Sequence, residues 1–579
     1  MYLYEPLATC LRACYLASIF TPSFLATPLF MIGPRSPDRD NLRSGALLWF
    51  RLLVKVLELA GPTFIKLGQW AASRRDVFPI SLCDMLSVSH SNVSPHAFFY
   101  SRHFISRAFH NTSLVDVFQE FYYKPIGVGA IAQVYKAKSS PDFIKDDLQH
   151  AEQRLSEADA FFTHNHMVRN IMRTLKDNFT KQLPPSSWVA VKVSHPRAKS
   201  MIMRDLSIMN IIAKIANYIP GFKWLCLPDE VENFGHMMRL QSDLRVEGAN
   251  LQRFIDLFAN REGIKFPRPY SLYSSSHVLI EEFCDGVPLE YFLELKSSRG
   301  HPIEKKIAES GLNSFFRMLL LDNFVHADLH PGNMIIQIYK PSEMRLRRSS
   351  SSALTDEELE DMTIATKHSK SFAHDQVAWQ KELDRLYEAG YTPRICFIDT
   401  GLVSELNEVN RRNFIDLFKA IANFDGYRVG QLMIERSRSP ETAINRDLFA
   451  LKMEHLVNNI RGQTFKSGVF NIGDLLNETS TMVRQHHVRL EADFVNVVIS
   501  VFLLEGIGRD LDPDLDLIKS ALPILRQLGA SSQNMNIKDK SDVLSMAKIW
   551  FALEAREFFT GSIQSVNNLI VFDKLSPNI

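Results

Sequence analysis

The segment His326–Ile338 reads HADLHPGNMIIQI. An acid stands between two histidines, the chain turns through Pro331 and Gly332, and an apolar, β-branched strand follows. Asp328 and Asn333 lie five residues apart at the mouth of that strand. Downstream, RICFIDTG (Arg394–Gly401) is an apolar strand that ends in Asp399 just before a glycine able to turn the chain. Upstream, VAVKV (Val189–Val193) sets Lys192 among apolar β-formers, where a lone ammonium is costly unless an anion pairs with it. Each fragment alone is weak: VAVKV fits a core strand with a snorkelling lysine, and DTG fits a turn. In this order, with the Asp-to-Asn interval kept, they supply the parts of phosphoryl transfer from a nucleotide. Those parts are a cation on the phosphates, a carboxylate near the nucleophile, and an Asn plus an Asp to hold Mg²⁺.

Composition bounds the rest. A chain of 579 residues allows roughly two to four domains of about 150 residues. Hydrophobic residues at 46% and charged residues at 23% are ordinary for a soluble globular protein and exclude wholesale disorder. Sixty-six basic against 65 acidic side chains leave a formal charge of +1, so nothing supports a nucleic-acid partner. The six cysteines are too scattered for a disulfide scaffold. Cys10 and Cys14 share a helical spacing without a nearby histidine, which predicts two buried thiols on one face rather than a metal site.

From Ala13 to Ile32 the chain carries no charge over twenty residues, the length a spanning helix needs. Pro22 and Pro28 are expected to interrupt it, and Ser and Thr lower its hydropathy. A membrane-crossing or membrane-lying segment and a buried helical hairpin both remain open, and neither a secretory signal nor an Arg-rich presequence is evident. Gly45–Arg74 reads as two helices broken at Gly61-Pro62, and Gly127–Lys138 as a strand pair. Residues 138–187 read as a helical insertion, and residues 340–394, rich in Ser, Arg and acids, as a solvated and partly disordered one. Leu406 to about Leu528 is a run of amphipathic helices.

From Pro62 to about Leu528 the chain resembles the UbiB-type atypical kinases, the aarF-domain-containing protein kinase-like family. The hallmark K-x-G-Q is matched by Lys66, Gly68 and Gln69 in PTFIKLGQ, and the family's Ala-rich nucleotide loop by PIGVGAIAQVY. Its E-x-D-x-x-x-E-A helix is matched by Gln241-Ser242-Asp243 and Glu247-Gly248, and its helical EG-LDP segment by LLEGIGRDLDPDLDL. The two long insertions resemble those of the second aarF-domain-containing kinase subgroup, and that resemblance alone implies a mitochondrial protein. Two departures stand out. Gly127 and Gly129 replace alanines, which would let the backbone reach positive φ and approach phosphates, and Gln241 replaces an acid, so an ion pair from that position is lost or moved.

The resemblance implies an α+β, bilobal protein-kinase-like fold with extra N-terminal helices and a mainly helical large lobe. The implied units are an N-terminal apolar segment and candidate membrane anchor over 1–44, and a helical extension with the K-x-G-Q motif over 45–120. A small lobe over 121–285 and a large lobe over 286–530 follow, with a helical tail over 531–579. Lys192, paired with Glu247, is expected on the α- and β-phosphates, Asp328 as base or substrate-orienting acid, and Asn333 with Asp399 on Mg²⁺. Gly127, Val128, Gly129, Ala130 and Gln133 belong to the nucleotide loop, and Glu282 and Cys284 to the hinge whose backbone meets adenine. Asp243, like Glu247, could face Lys192 or Lys66, and Lys66, Gly68, Gln69 and Asp243 form the gate. His326 is expected to brace the catalytic loop. The implied cofactors are ATP or ADP and Mg²⁺. The implied partners are a membrane or lipid-quinone intermediate and coenzyme Q biosynthetic proteins, at the mitochondrial inner membrane. The reading open beside turnover is a nucleotide-binding switch.

Overall fold

The computed structural model describes residues 4–35, 42–88, 95–140, 188–219, 226–294, 300–341, 375–467, 472–515 and 524, apart from positions 76, 111, 112, 260, 262, 423, 424, 438, 439, 489–491 and 514. Most of the insertion over 138–187, the first part of that over 340–394 and the whole tail over 531–579 lie outside the described residues.

Strand alternation builds the small lobe. β4 (Trp188–Ser194) buries Val189, Val191 and Val193 on one face and turns Ala190 and Lys192 to the other. β3 (Ala132–Ser139) and β6 (Val278–Glu282) flank it, with β1 (Phe118–Phe121) and β2 (Gly127–Val128) both on β3, so every pairing in this sheet is antiparallel. The valine face joins Tyr135, Ala137, Val278 and Ile280 under the helix Phe98–Ala108, which adds Ile105 to the same core. Burying each such aliphatic side chain contributes on the order of 2 kcal/mol. The lysine face looks onto the helix Leu244–Phe258, whose stripe of Leu244, Leu251, Phe254 and Phe258 is buried in the large-lobe core with Leu279.

The second sheet runs β5 (Ile264–Lys265), β10 (Thr392–Phe397), β9 (Met334–Tyr339), β7 (Val287–Pro288) and carries the catalytic-loop strand against the DTG strand, Met334 facing Phe397. Gly286 is needed where the hinge crosses β9, because a Cβ there would stand 2.4 Å from Ile335 Cγ2. Helices cover this sheet and continue to Ala492–Leu511, completing the bilobal kinase-like fold.

Three expectations need correction. Gln376–Glu388, within the stretch read as solvated, is a helix capped by Asp375 that buries Trp379, Leu383 and Leu386, an amphipathic face hidden by its polar surroundings. Pro22 does not interrupt α1 (Tyr4–Leu25), because it falls in the last turns, where it removes a single backbone bond; Pro28 lies in the short 3₁₀ turn Thr27–Met31. Cys10 and Cys14 are exposed, since α1 rests on the face that carries Ala13, Leu16 and Phe20.

α1 and α2 (Ser44–Ala60) form a helical hairpin, held by Trp49 Nε1 donating to the Ser23 carbonyl at 2.7 Å. The stretch Tyr4–Met31 is nevertheless long and apolar enough to cross a membrane, and only 11% of its most apolar window is buried. Arg12 bolts α1 to the helix Ala198–Ala216. Its guanidinium donates to both oxygens of the fully buried Asp205, at 2.7 and 3.0 Å, and to the Ala60 carbonyl at 2.6 Å. Arg12→Leu leaves Asp205 buried and unpaired, and should cost about 3–5 kcal/mol of the stability holding α1 in place. Limited proteolysis should then cut within α1 faster than in wild type, and the double variant Arg12→Leu/Asp205→Leu should recover part of the loss. Equal cleavage rates would show that the pair does not hold α1.

Candidate active site

Lys192 is the centre of the cleft. Its ammonium lies 2.7 Å from Glu247 Oε1 and 3.1 Å from Asp399 Oδ1. Strand register explains the reach: Lys192 faces Leu279 on β6 and Val134 on β3, so it stands on the cleft side of the sheet, opposite the valine face. Burial pulls the ammonium down, but the carboxylates of Asp399, Glu247 and Glu281 outweigh it and hold its pKa above the ordinary lysine value. Burial likewise raises Asp399, and Lys192 and Lys66 overcome that and hold it below the ordinary value. Its side chain is 47% exposed, so water tempers the effect. Glu247 is nearly fully buried; burial lifts it to about 7 against the pull of Lys192.

Asp399 sits at φ +57°, the left-handed region a β-strand residue avoids, which turns its carboxylate back toward the lysine. Gly401 leaves room for that turn: a Cβ there would lie 3.3 Å from Asp399 Oδ1 and 3.7 Å from Glu247 Oε2. Asn250 donates to the Thr400 carbonyl at 2.9 Å, so the helix bearing Glu247 also holds the DTG turn.

The loop carrying Asp328 and Asn333 closes the other side. Asn333 Nδ2 donates to the Asp328 carbonyl at 3.0 Å, and the Ile398 N–H to the Asn333 carbonyl at 2.9 Å, locking the loop to the DTG strand. His326 is fully buried; its Nδ1 accepts the Asp328 N–H at 3.3 Å, and burial pushes its pKa down, so it braces the loop as a neutral ring. Lys66, on α3 (Pro62–Ser73), reaches Asp328 Oδ2 at 3.9 Å. Gly68 and Gln69 follow on the same helix, and Phe64 of α3 packs in one cluster with Ile131 of the nucleotide loop.

Several expected site residues stand elsewhere. Gln133 lies on the sheet face opposite Lys192, and its amide is taken by Tyr135 and the backbone of His96, so it does not face the cleft. Asp243 caps the helix Leu244–Phe258 and pairs with Arg245 at 2.6 Å, meeting neither Lys192 nor Lys66. The Glu282 carboxylate pairs with Lys265, joining the end of β6 to the large-lobe sheet, while Cys284 lies beside Cys396. Gly127 and Gly129 do not use positive φ. A Cβ at Gly127 would meet nothing, and one at Gly129 would touch only the Ala132 carbonyl, so these glycines give the loop clearance rather than a turn. Gln241 Oε1 is buried without a hydrogen-bond partner, the mark left by the missing acid.

Glu281 was not singled out from the sequence. It faces Ala190 on the cleft side, is only 7% exposed, and its Oε2 has no hydrogen-bond partner. Burial, reinforced by Glu247 and opposed by Lys192, lifts it to about 8. Counting by twos from Leu279 would have found it.

The donor set fits Mg²⁺ and a nucleotide. Asp399 and Asn333 offer hard oxygen donors of the kind Mg²⁺ takes together with phosphate oxygens.

Residues 179–348 match the ABC1 atypical kinase-like domain, and residues 453–516 the UbiB helical domain. A mitochondrial ABC1 family protein of Saccharomyces cerevisiae is 43% identical over 580 residues, covering 99% of this chain and 83% of the relative. A mitochondrial ABC1 family protein of Schizosaccharomyces pombe is 39% identical, covering 98% of this chain and 78% of the relative. A protein of Pasteurella multocida named as probable protein kinase UbiB is 26% identical, with 85% and 77% covered.

Glu281 generates a pH dependence. A carboxyl raised from 4.5 to about 8 holds its proton more tightly folded than unfolded, so its contribution to stability falls as pH rises between those values. Asp399 acts below this window and Lys192 above it, while Glu247, raised to about 7, titrates within it in both proteins and is taken out by the comparison. Glu281→Gln should therefore gain stability over wild type increasingly from pH 5 to pH 8, read as the difference between the two denaturation profiles. Parallel profiles would rule the raised carboxyl out.

Proposed function

The chain belongs to the ABC1/UbiB atypical kinase-like family, and from that membership we propose that it is a Mg²⁺-dependent atypical kinase or ATPase serving mitochondrial lipid or coenzyme Q metabolism. The observation that carries this reading is the chain Glu247–Lys192–Asp399, with 2.7 and 3.1 Å contacts, beside Asp328 and Asn333 on one loop. Lys192 would contact the α- and β-phosphates and Glu247 hold it there. Asp328 would orient the attacking hydroxyl or water and take its proton as the terminal phosphoryl group leaves ADP. Asp399 and Asn333 would hold Mg²⁺, which when bound would supply electrostatic stabilisation of the charge that develops on the phosphoryl group. Val128, Gly129 and Ala130 would line the phosphates, and the backbone at Glu282 and Cys284 would meet adenine.

Lys66 bears on the substrate. An ammonium 3.9 Å from the candidate base, carried by a helix lying over the cleft, occupies the place a peptide acceptor would need. That favours a small or lipid-like acceptor, or hydrolysis. Two yeast relatives are named mitochondrial, and α1 exposes Leu7, Leu11, Phe24 and Leu25; both support a site at the mitochondrial inner membrane. The same Lys66 contact favours a second reading, in which nucleotide operates a switch that recruits a biosynthetic partner or the membrane without useful turnover.

Phosphate release from Mg²⁺–ATP by the full chain, with and without vesicles containing a quinone precursor, decides between them. Asp399→Asn should lower turnover by about a hundredfold or more, the cost of removing one preorganised electrostatic contact. Nucleotide binding with no release under any condition would leave the switch.

A further inference from the structure

A chain of hydrogen bonds runs from the nucleotide loop to the N-terminal extension. His195, just after β4, grips the loop twice. Its backbone N–H donates to the Ile131 carbonyl at 2.8 Å, and its ring Nε2 lies 2.9 Å from the Gly129 carbonyl oxygen. A carbonyl only accepts, so Nε2 carries a proton. In a neutral ring Nδ1 is then an acceptor, and at 2.7 Å it faces His96 Nδ1, which must donate. His96 Nε2 is left as an acceptor, met by Ser101 Oγ at 2.7 Å. Ser101 gives its proton there and accepts from Tyr135 Oη at 2.8 Å, while Tyr135 accepts from the Gln133 amide. Gln133 Oε1 in turn accepts the His96 N–H at 3.1 Å. One carbonyl in the loop therefore sets the direction of every proton in the chain. A doubly protonated His195 would reverse it, but burial pushes the His195 pKa down, and burial with His195 nearby takes His96 to about 4.

Ala130 and Ile131 are buried, but the exposed end of the loop, Gly127–Gly129, has little else to hold it. β2 is two residues long, Gly129 N–H bonds only across the turn to the Ala132 carbonyl at 2.8 Å, and the Gly127 side is open. Two glycines in such a loop lose much freedom when it is fixed. The peptide unit is planar and trans, so a Gly129 carbonyl held toward His195 points the Ala130 N–H the opposite way. Backbone N–H groups in such loops are the donors phosphates use.

We propose that His195 is a positioning residue for the nucleotide loop, and that His96, Ser101 and Tyr135 hold it in the one tautomer able to grip the Gly129 carbonyl. His96 precedes the helix Phe98–Ala108 and Ser101 lies on it, so the seating of the N-terminal extension sets the loop's posture over the phosphates. This rests on the nucleotide reading above.

The test uses the full chain with Mg²⁺, and measures ATP and adenosine affinity by displacement of a fluorescent ATP analogue. Adenosine lacks the phosphates, so a loop-positioning residue moves the ratio of the two affinities and a merely structural one does not. His195→Leu should weaken ATP by about three- to tenfold, one hydrogen bond's worth, and leave adenosine within about twofold. His195→Gln keeps an amide donor at the reach of Nε2 and should restore the ratio. His195→Asn, polar and well tolerated but too short to meet Gly129, should not, which keeps the test open if the leucine variant fails to fold. His96→Leu should shift the ratio in the same direction. A ratio unmoved by His195→Leu and His195→Asn, or the two affinities lost in parallel, overturns the proposal. Wild type that binds neither ligand overturns the nucleotide reading itself.

Discussion

A lysine in the middle of a valine strand is the constraint from which the rest follows. Lys192 can be buried as an ion only if carboxylates meet it, and the two that touch it come from distant parts of the chain. Glu247 is delivered by a helix that must therefore pack on the cleft face of the small-lobe sheet. Asp399 is delivered by the end of a strand in the other sheet, which must bring its turn beneath the same lysine. The left-handed φ of Asp399 is the local cost of that reach, offset by the ion pair and by the space Gly401 leaves. Satisfying one ammonium thus fixes the position of a helix, a strand end and the two lobes together.

The N-terminal extension ties into this frame at several points. Lys66 touches the catalytic loop, Phe64 packs beside Ile131, and His96 and Ser101 reach the nucleotide loop through His195. Arg74 pairs with Glu230 on the helix Leu227–Gln241, and Arg484 donates to the Phe78 carbonyl at 2.7 Å from the helical end of the large lobe. The extension therefore spans both lobes across the cleft mouth. Through Lys66 and through His96 and Ser101 the extension contacts both the Asp328 loop and the Gly127–Gly129 loop.

Much of this was legible from alternation and spacing. Val189–Val193 declares its two faces in five letters, Asp328 and Asn333 declare a loop by their interval, and Gly61-Pro62 declares a helix boundary. The misreadings share a physical cause, the absence of register from a linear pattern. Gln133 belongs to the motif that carries the loop, yet one pleat turns it to the far face. Asp243 is as acidic as Glu247, but at a helix start its nearest donors are the backbone N–H and side chain of Arg245, which claim it. Glu281 and Glu282 are adjacent and alike in the sequence, and only strand pairing with Ala190 shows that Glu281 turns inward while Glu282 turns to Lys265. Cys10 and Cys14 kept their common face; nothing in their spacing says which face is covered. The helix Gln376–Glu388 was masked by the serines and acids before it.

The departures from the family pattern are connected through the same frame. Glycines where the family pattern has alanines remove side chains that would restrict the loop, so its backbone has more freedom to lose on ordering. A loop so built needs its peptides oriented from outside, and His195 supplies two such contacts from the strand that also carries Lys192. Lys192 and His195 lie three residues apart, so one β-strand end sets both the cation and the loop above it. Gln241 marks the converse case. An amide where an acid is usual leaves a buried oxygen unpaired near the start of the Glu247 helix, and that helix relies instead on the Asp243 cap and on Asn250 bonding to the Thr400 carbonyl. The load that an ion pair would carry at the head of the helix falls on contacts made around the DTG turn, which makes the geometry of Glu247 and that of Asp399 a single quantity.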